Sequence, residues 1–179
     1  MLTPFEREAL LRFARETIVA RLTGSAPPPL VRLEDPQHHA GAFVTLHVHR
    51  ELRGCIGYPG SEKRLDEVVG HCAVAAATED PRFPTLSASE FSDLTVEISV
   101  LTPIRKVNDL SEIEVGRDGL ILQDGFRKGL LLPQVATEHH WDRDTFLSHT
   151  CLKAGLRPDA WRTGAKIFKF QAEVFSEGT

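Results

Sequence analysis

The stretch ELRGCIGYPG, residues 51–60, holds the residues best spaced for chemistry. Cys55 stands between Gly54 and Gly57, with Arg53 two positions before it. On an extended strand alternate residues share a face, so Arg53 and Cys55 point the same way, ~7 Å apart along the chain. A neighbouring guanidinium favours a thiolate, and glycine amides can approach an anion or an oxyanion closely. A thiol nucleophile also needs a proton acceptor, and His71, His149, Glu97 and Asp80 are the candidates. The competing reading makes both glycines geometric and Cys55 a small apolar filler beside a bulge or a crossing helix.

Other chemistry-bearing residues lie further along. HTC at 149–151 suggests a Cys-His dyad, but two residues of helix turn through ~200°, so His149 and Cys151 face different ways. Cys151 falls with Leu147 and Ala154 on an apolar stripe, while His149 points away from it. Cys72 sits in another apolar stripe and reads as core. In EDPRFP, prolines on both sides fix Arg82 beside Asp80, and a fixed guanidinium suits carboxylate or phosphate. Arg53 and Arg82 together would make an anion-binding site, with Asp80, Gly54 and Gly57 around it. His47 and His49 alternate on a strand, and HH occurs at 38–39 and 139–140, yet thiol and carboxylate partners at ligand spacing are missing. Neither a bound metal nor a cofactor is expected.

These residues need elements to hold them. TPFEREALLRFARETIVARL starts with Thr3 as N-cap, Pro4 at the first helical position and Glu6 closing a capping box, and Gly24 ends it. Phe5, Ala9 and Phe13 begin its apolar stripe. GSAPPPL is a stiff extended connector. GAFVTLHVHRELRGCIGYPG reads as a hairpin turning near His49–Glu51, with Leu52, Gly54 and Ile56 on one face of the returning strand. SEKRLDEVVGHCAVAAAT is a helix capped by Ser61. LTVEISVLTP is a strand with Val96, Ile98 and Val100 inward, and Glu97 and Ser99 opposite. GRDGLILQDGFRKGLLLP reads as short paired strands, with Asp118-Gly119 and Asp124-Gly125 as turn dipeptides. WDRDTFLSHTCLKAGL is a third helix from Asp142 to Gly155. AKIFKFQAEVF is a last strand with Phe168, Phe170, Ala172 and Val174 inward. Antiparallel hairpins with helices between groups of strands make an α+β fold, with antiparallel sheets flanked by helices.

The bulk numbers narrow the function classes. The chain has 179 residues, a formal net charge of −4 and a sequence pI near 6.1. That length suits one domain or two small lobes. The acidic balance argues against broad nucleic-acid binding, and aromatic residues are only 7%. No apolar run approaches the ~18 residues a membrane span needs, and the N-terminus lacks the form of a signal peptide. Three cysteines, odd in number and far apart, read as reduced thiols. A cytoplasmic location is expected.

LRGCIG at 52–57 resembles the hexapeptide that marks the AMMECR domain family, which includes the AmmeMemoRadiSam system protein A. The resemblance continues through GAFVTL (41–46), DPRFPTL (80–86), VEISVLTP (96–103), GLLLPQVA (129–136), HTCLKAGL (149–156) and FQAEVF (170–175), in order over nearly the whole chain. It implies an intracellular α+β protein with a larger and a smaller lobe and a cleft between them. It also implies gene neighbours encoding a Memo-type protein and a radical SAM protein as partners. It brings no established reaction. Two functions follow as expectations. The favoured one is an accessory or binding module that uses Arg53, Gly54, Gly57, Asp80 and Arg82 to hold an anionic small molecule or a partner. The alternative is an enzyme in which Cys55 acts as an activated thiol, with His149 or Glu97 managing protons.

Overall fold

The computed structural model describes residues 2–35 and 41–178. The pair of histidines at 38–39 lies outside the described residues. Among the described residues the fold is α+β, with four α-helices, seven strands and only antiparallel ladders in the pairings described. Two compact units divide the chain: Met1–Val100 with Glu173–Thr179, and Leu101–Ala172.

In the first unit, helix α1 (Pro4–Thr23) starts as its sequence predicts. Thr3 accepts the Glu6 N–H at 3.3 Å, and the Glu6 carboxylate accepts the Thr3 N–H at 2.8 Å. Gly24 closes the helix in the left-handed conformation at φ 71°. Phe5 departs from the expected stripe and is 70% exposed, whereas Leu10, Phe13, Ala14 and Ile18 are buried. Strands β1 (Ala42–Val48) and β2 (Glu51–Tyr58) form the hairpin, and β1 also pairs with β3 (Leu94–Leu101). His49 and Arg50 make the turn with φ of 54° and 68°. Both central residues at positive φ are what a tight two-residue hairpin requires. Helix α2 (Leu65–Thr78) packs on β1, β2 and α1. Its cap differs from expectation. Arg64, not Ser61, holds the N-cap position, and Ser61 instead accepts the Lys63 N–H at 3.0 Å. Val44, Leu46, Val96 and Ile98 meet Leu10, Ile18, Val69 and Cys72 in the core. Each large side chain so buried contributes on the order of 1.5–3 kcal/mol.

The second unit contains β4 (Arg105–Lys106), β5 (Asp118–Asp124), β6 (Arg127–Leu131) and most of β7 (Lys166–Ser176). Strand β5 lies between β6 and β7, and β4 pairs with β7. Helix α4 (Arg143–Lys153), capped by Asp142 through the Thr145 N–H at 2.8 Å, covers β5 and β6. Leu120, Leu122, Phe146, Leu147, Cys151 and Ile167 form this unit's core. Two expectations are corrected here, and one helix is added to them. Asp118-Gly119 opens β5 rather than making a turn, and a Cβ on Gly119 would lie 2.3 Å from the Phe170 ring. PQVATE forms a further short helix, α3 (Pro133–Glu138), with proline at its start. In β7, Ile167 and Phe170 are buried while Val174 is 46% exposed, so the inward face is not a plain alternation of even positions.

Candidate functional site

Around Cys55 the first unit builds a locked corner rather than an open thiol. The β1–β2 register slips by one residue: Leu46 faces Gly54, but His47 faces Leu52. Arg53 is therefore the extra residue of a β-bulge, which turns Leu52 to the His47 side, where it is 42% exposed. Leu52 thus does not share the face of Gly54 and Ile56 that plain alternation predicts. The Arg53 fork reaches Glu90, Nε to Oε1 at 2.8 Å and Nη2 to Oε2 at 3.2 Å, and Nη1 donates to the Pro84 carbonyl at 2.9 Å. Glu90 also closes a capping box with Ser87 at the start of a short 3-10 turn, Ala88–Glu90. Its bonds to Arg53 and then to the Ser87 N–H hold its carboxyl down to about 2. Arg53 joins the edge strand to this turn, and its charge is spent there.

The DPR segment folds for local reasons. Asp80 and Pro81 open a tight turn in which Phe83 N–H donates to the Asp80 carbonyl at 3.1 Å. Asp80 Oδ1 accepts the Arg82 N–H at 3.1 Å and Arg82 Nε at 3.0 Å, and Oδ2 accepts Arg82 Nη2 at 2.8 Å. The same Oδ2 accepts the Cys55 N–H at 2.9 Å. Among the described residues strand β2 pairs with β1 on one side only, so the Asp80 carboxylate supplies the acceptor that another strand's carbonyl would give. Asp80 is 4% exposed. The Arg82 bonds hold its carboxyl far below the usual carboxylate range, with the two N–H groups helping against burial. Arg82 itself remains 56% exposed and lies 5.4 Å from the Phe83 ring.

The motif glycines are spacers. A Cβ on Gly54 would fall 2.1 Å from the Ala76 carbonyl oxygen, so α2 can sit this close only over glycine. A Cβ on Gly57 would fall 2.3 Å from the Phe43 ring, its cross-strand neighbour. Cys55 itself is half-buried. Burial raises its thiol pKa, opposed by the Thr45 hydroxyl, which donates to Sγ at 3.3 Å, and by the Arg82 charge; Asp80 and Glu97 push the same way as burial. Register places Cys55, Thr45 and Glu97 in one row across β2, β1 and β3. In the next row stand Gly57, Phe43 and Ser99, whose hydroxyl is buried without a partner among the described residues.

The remaining expected residues fall elsewhere. His149 belongs to the second unit, on the outer face of α4, where its ring stacks on Trp141 at 3.9 Å and 9°. Trp141 stacks in turn on His139 at 4.7 Å. His71 meets the Tyr58 hydroxyl at 3.0 Å, and His49 lies 3.9 Å from Asp93. No group of three or more His, Cys, Asp or Glu among the described residues could hold a metal ion. No helix among them is long and apolar enough to cross a membrane. Sequence reasoning missed Thr45, Glu90 and Trp141. The S-x-x-E spacing of Ser87 and Glu90 was a usable signal for the second; Thr45 required the strand register.

The AMMECR1 family model matches residues 11–175. The chain belongs to the AMMECR1 family. A Methanosarcina mazei protein is 43% identical, covering 99% of this chain and 94% of its own length. A Methanocaldococcus jannaschii protein is 44% identical over 99% of this chain and 92% of its own. A solved structure of an uncharacterised Pyrococcus horikoshii protein is similar with a TM-score of 0.90 and 39% identity, covering 99% of this chain and 94% of that one. None of these AMMECR1 relatives carries a name that states a reaction.

Proposed function

We propose that this AMMECR1-family protein is an accessory module that docks a partner protein at the LRGCIG strand, and that Cys55 is not a nucleophile. The observation that carries this reading is the state of the corner. The thiol is biased toward its protonated form, its N–H is held by Asp80, and Arg53 is consumed by Glu90. A nucleophile needs the opposite: a depressed pKa and a base within reach. A free small anion is the weaker half of the earlier expectation, because both guanidiniums already face carboxylates. What the edge offers outward is apolar surface at Leu52 and Tyr58, with the water-facing part of Arg82 nearby in the network. That mixture suits the rim and core of a protein interface. The partners are the Memo-type and radical SAM proteins that the resemblance implies.

The test is equilibrium binding of the purified chain to each of those two proteins. Cys55→Ser should bind within about twofold of wild type, while Leu52→Asp and Arg82→Glu should each weaken binding at least tenfold. Rapid, selective alkylation of Cys55 at neutral pH would instead favour the thiol-enzyme reading, and absence of binding to both proteins would remove the partner assignment.

A further inference from the structure

The second unit contains a polar pocket of about 360 Å³, lined among others by Thr102, Arg105, Arg117, Asp118, Lys169 and Gln171. Its position follows from the strand pattern. Val107, Leu120, Leu122 and Ile167 turn one face of the β4–β7–β5 ladder into the core. Residues two apart share a face. Arg105, Asp118, Lys169 and Gln171 therefore continue that face, so its end is charged where an apolar side chain would pack.

Asp118 is fully buried. Its oxygens accept the Glu114 N–H at 2.9 Å, Arg117 Nε at 3.3 Å, Lys169 Nζ at 3.4 Å and Gln171 Nε2 at 3.4 Å. The carboxylate is thus a saturated anchor that orients donors, not a vacant cation site. Arg117 also pairs with Glu114, which is largely exposed. Arg105 is left over. It forms no ion pair with a described residue, and the β4–β7 register sets it directly opposite Lys169. Like charges directly opposite across a ladder repel. Lys169 is compensated by Asp118 and by the Glu112 carbonyl, to which its ammonium also donates, so Arg105 is the cation of this face that has no ion pair among the described residues.

We propose that this pocket binds the phosphate group of a small phosphate monoester, with the phosphate seated between Arg105 and Lys169. Guanidinium and ammonium donors converging from two strands suit the several acceptor oxygens of a tetrahedral anion. The pocket lies wholly within the second unit, and the proposal stands apart from the docking role of the LRGCIG strand.

The experiment uses the full chain, with inorganic phosphate and phenyl phosphate as probes, read by calorimetry and thermal unfolding at matched ionic strength. Phenyl phosphate should bind saturably and raise the melting temperature above that in chloride. Arg105→Gln should weaken binding at least tenfold, Arg105→Lys should recover part of it, and the unliganded Arg105→Gln protein should be at least as stable as wild type because the repulsion is gone. Equal binding by Arg105→Gln and wild type, or a chloride control that matches both probes, would overturn the site. Acetate as effective as phosphate would overturn the phosphate assignment.

Discussion

Replacing Asp80 with asparagine isolates the interaction on which the corner depends. The amide keeps the side chain's shape but loses its charge, and its NH₂ cannot satisfy the Arg82 fork. In the native protein the carboxylate accepts the Cys55 N–H at 2.9 Å and three bonds from Arg82 between 2.8 and 3.1 Å. A hydrogen bond to a charged group contributes about 1.5–3 kcal/mol. The Arg82 share is discounted, because that side chain is 56% exposed and regains water when released. The net expectation is a loss of about 2–3 kcal/mol, or roughly 5–10 °C in melting temperature for a chain of this length.

The pH dependence supplies an independent check. The native carboxyl of Asp80 titrates below its unfolded value of about 3.9. Its contribution is present above that value and is lost as pH falls through the native one. Wild type should therefore lose stability on acidification below about pH 4, and Asp80→Asn should show a shallower acid limb. Urea unfolding of both proteins between neutral and acid pH measures both effects, and hydrogen exchange should show faster exchange at the Cys55 amide in the variant. A variant within about 0.5 kcal/mol of wild type, with the same acid limb and the same Cys55 exchange, would refute the assignment of Asp80 as the acceptor that holds this strand.

Further outcomes follow from the same corner. Gly54→Ala should cost more than about 3 kcal/mol or prevent folding, because its methyl would overlap the Ala76 carbonyl; circular dichroism and urea unfolding measure this. Gly57→Ala should also destabilise, because its methyl would meet both the Phe43 ring at 2.3 Å and the Ala42 carbonyl oxygen at 2.5 Å, and a second change, Phe43→Leu, should recover only the ring's share of the loss, which urea unfolding of the single and double variants measures. Alkylation followed by mass spectrometry across pH should show Cys55 reacting only toward alkaline pH and Cys72, whose thiol burial pushes up to about 12, remaining inert in the folded chain. Glu90→Gln should flatten the acid limb between about pH 4 and pH 2, because the native Glu90 carboxyl, held down to about 2 first by Arg53, contributes above its unfolded pKa and ceases to do so as it is protonated.

Much of this architecture was legible from periodicity and caps. Thr3, Pro4, Glu6 and Gly24 delimit α1 because their preferences are local: a hydroxyl acceptor, a missing donor, a returning carboxylate and freedom at positive φ. The same holds for Asp142 at α4 and for the alternation of Val96, Ile98 and Val100. What failed was non-local. Alternation puts Leu52 on the face of Gly54 and Ile56, but one bulged residue reverses it. The spacing of Arg53 and Cys55 suggests an activated thiol, but Glu90, 37 residues later in the chain, takes the guanidinium. Ser61 has the right chemistry for a cap, yet α2 begins four residues later at Leu65, behind Arg64, which also forks onto the buried Asp66 carboxylate.

The LRGCIG hexapeptide therefore has a physical reason to look as it does even without catalysis. Gly54 lets α2 approach the strand, and Gly57 makes room for the Phe43 ring. Arg53 ties the bulge to Glu90, and the Cys55 backbone receives the Asp80 plug. The Cys55 side chain is not required by these contacts: Thr45 donates to its sulfur at 3.3 Å, a bond that a serine hydroxyl could also accept. Geometry thus separates the roles inside one short motif. The glycines, Arg53 and the Cys55 backbone are needed to build the edge, so their variants test folding. The sulfur can be changed without disturbing that construction, so Cys55→Ser is the variant that distinguishes a docking strand from a reacting one.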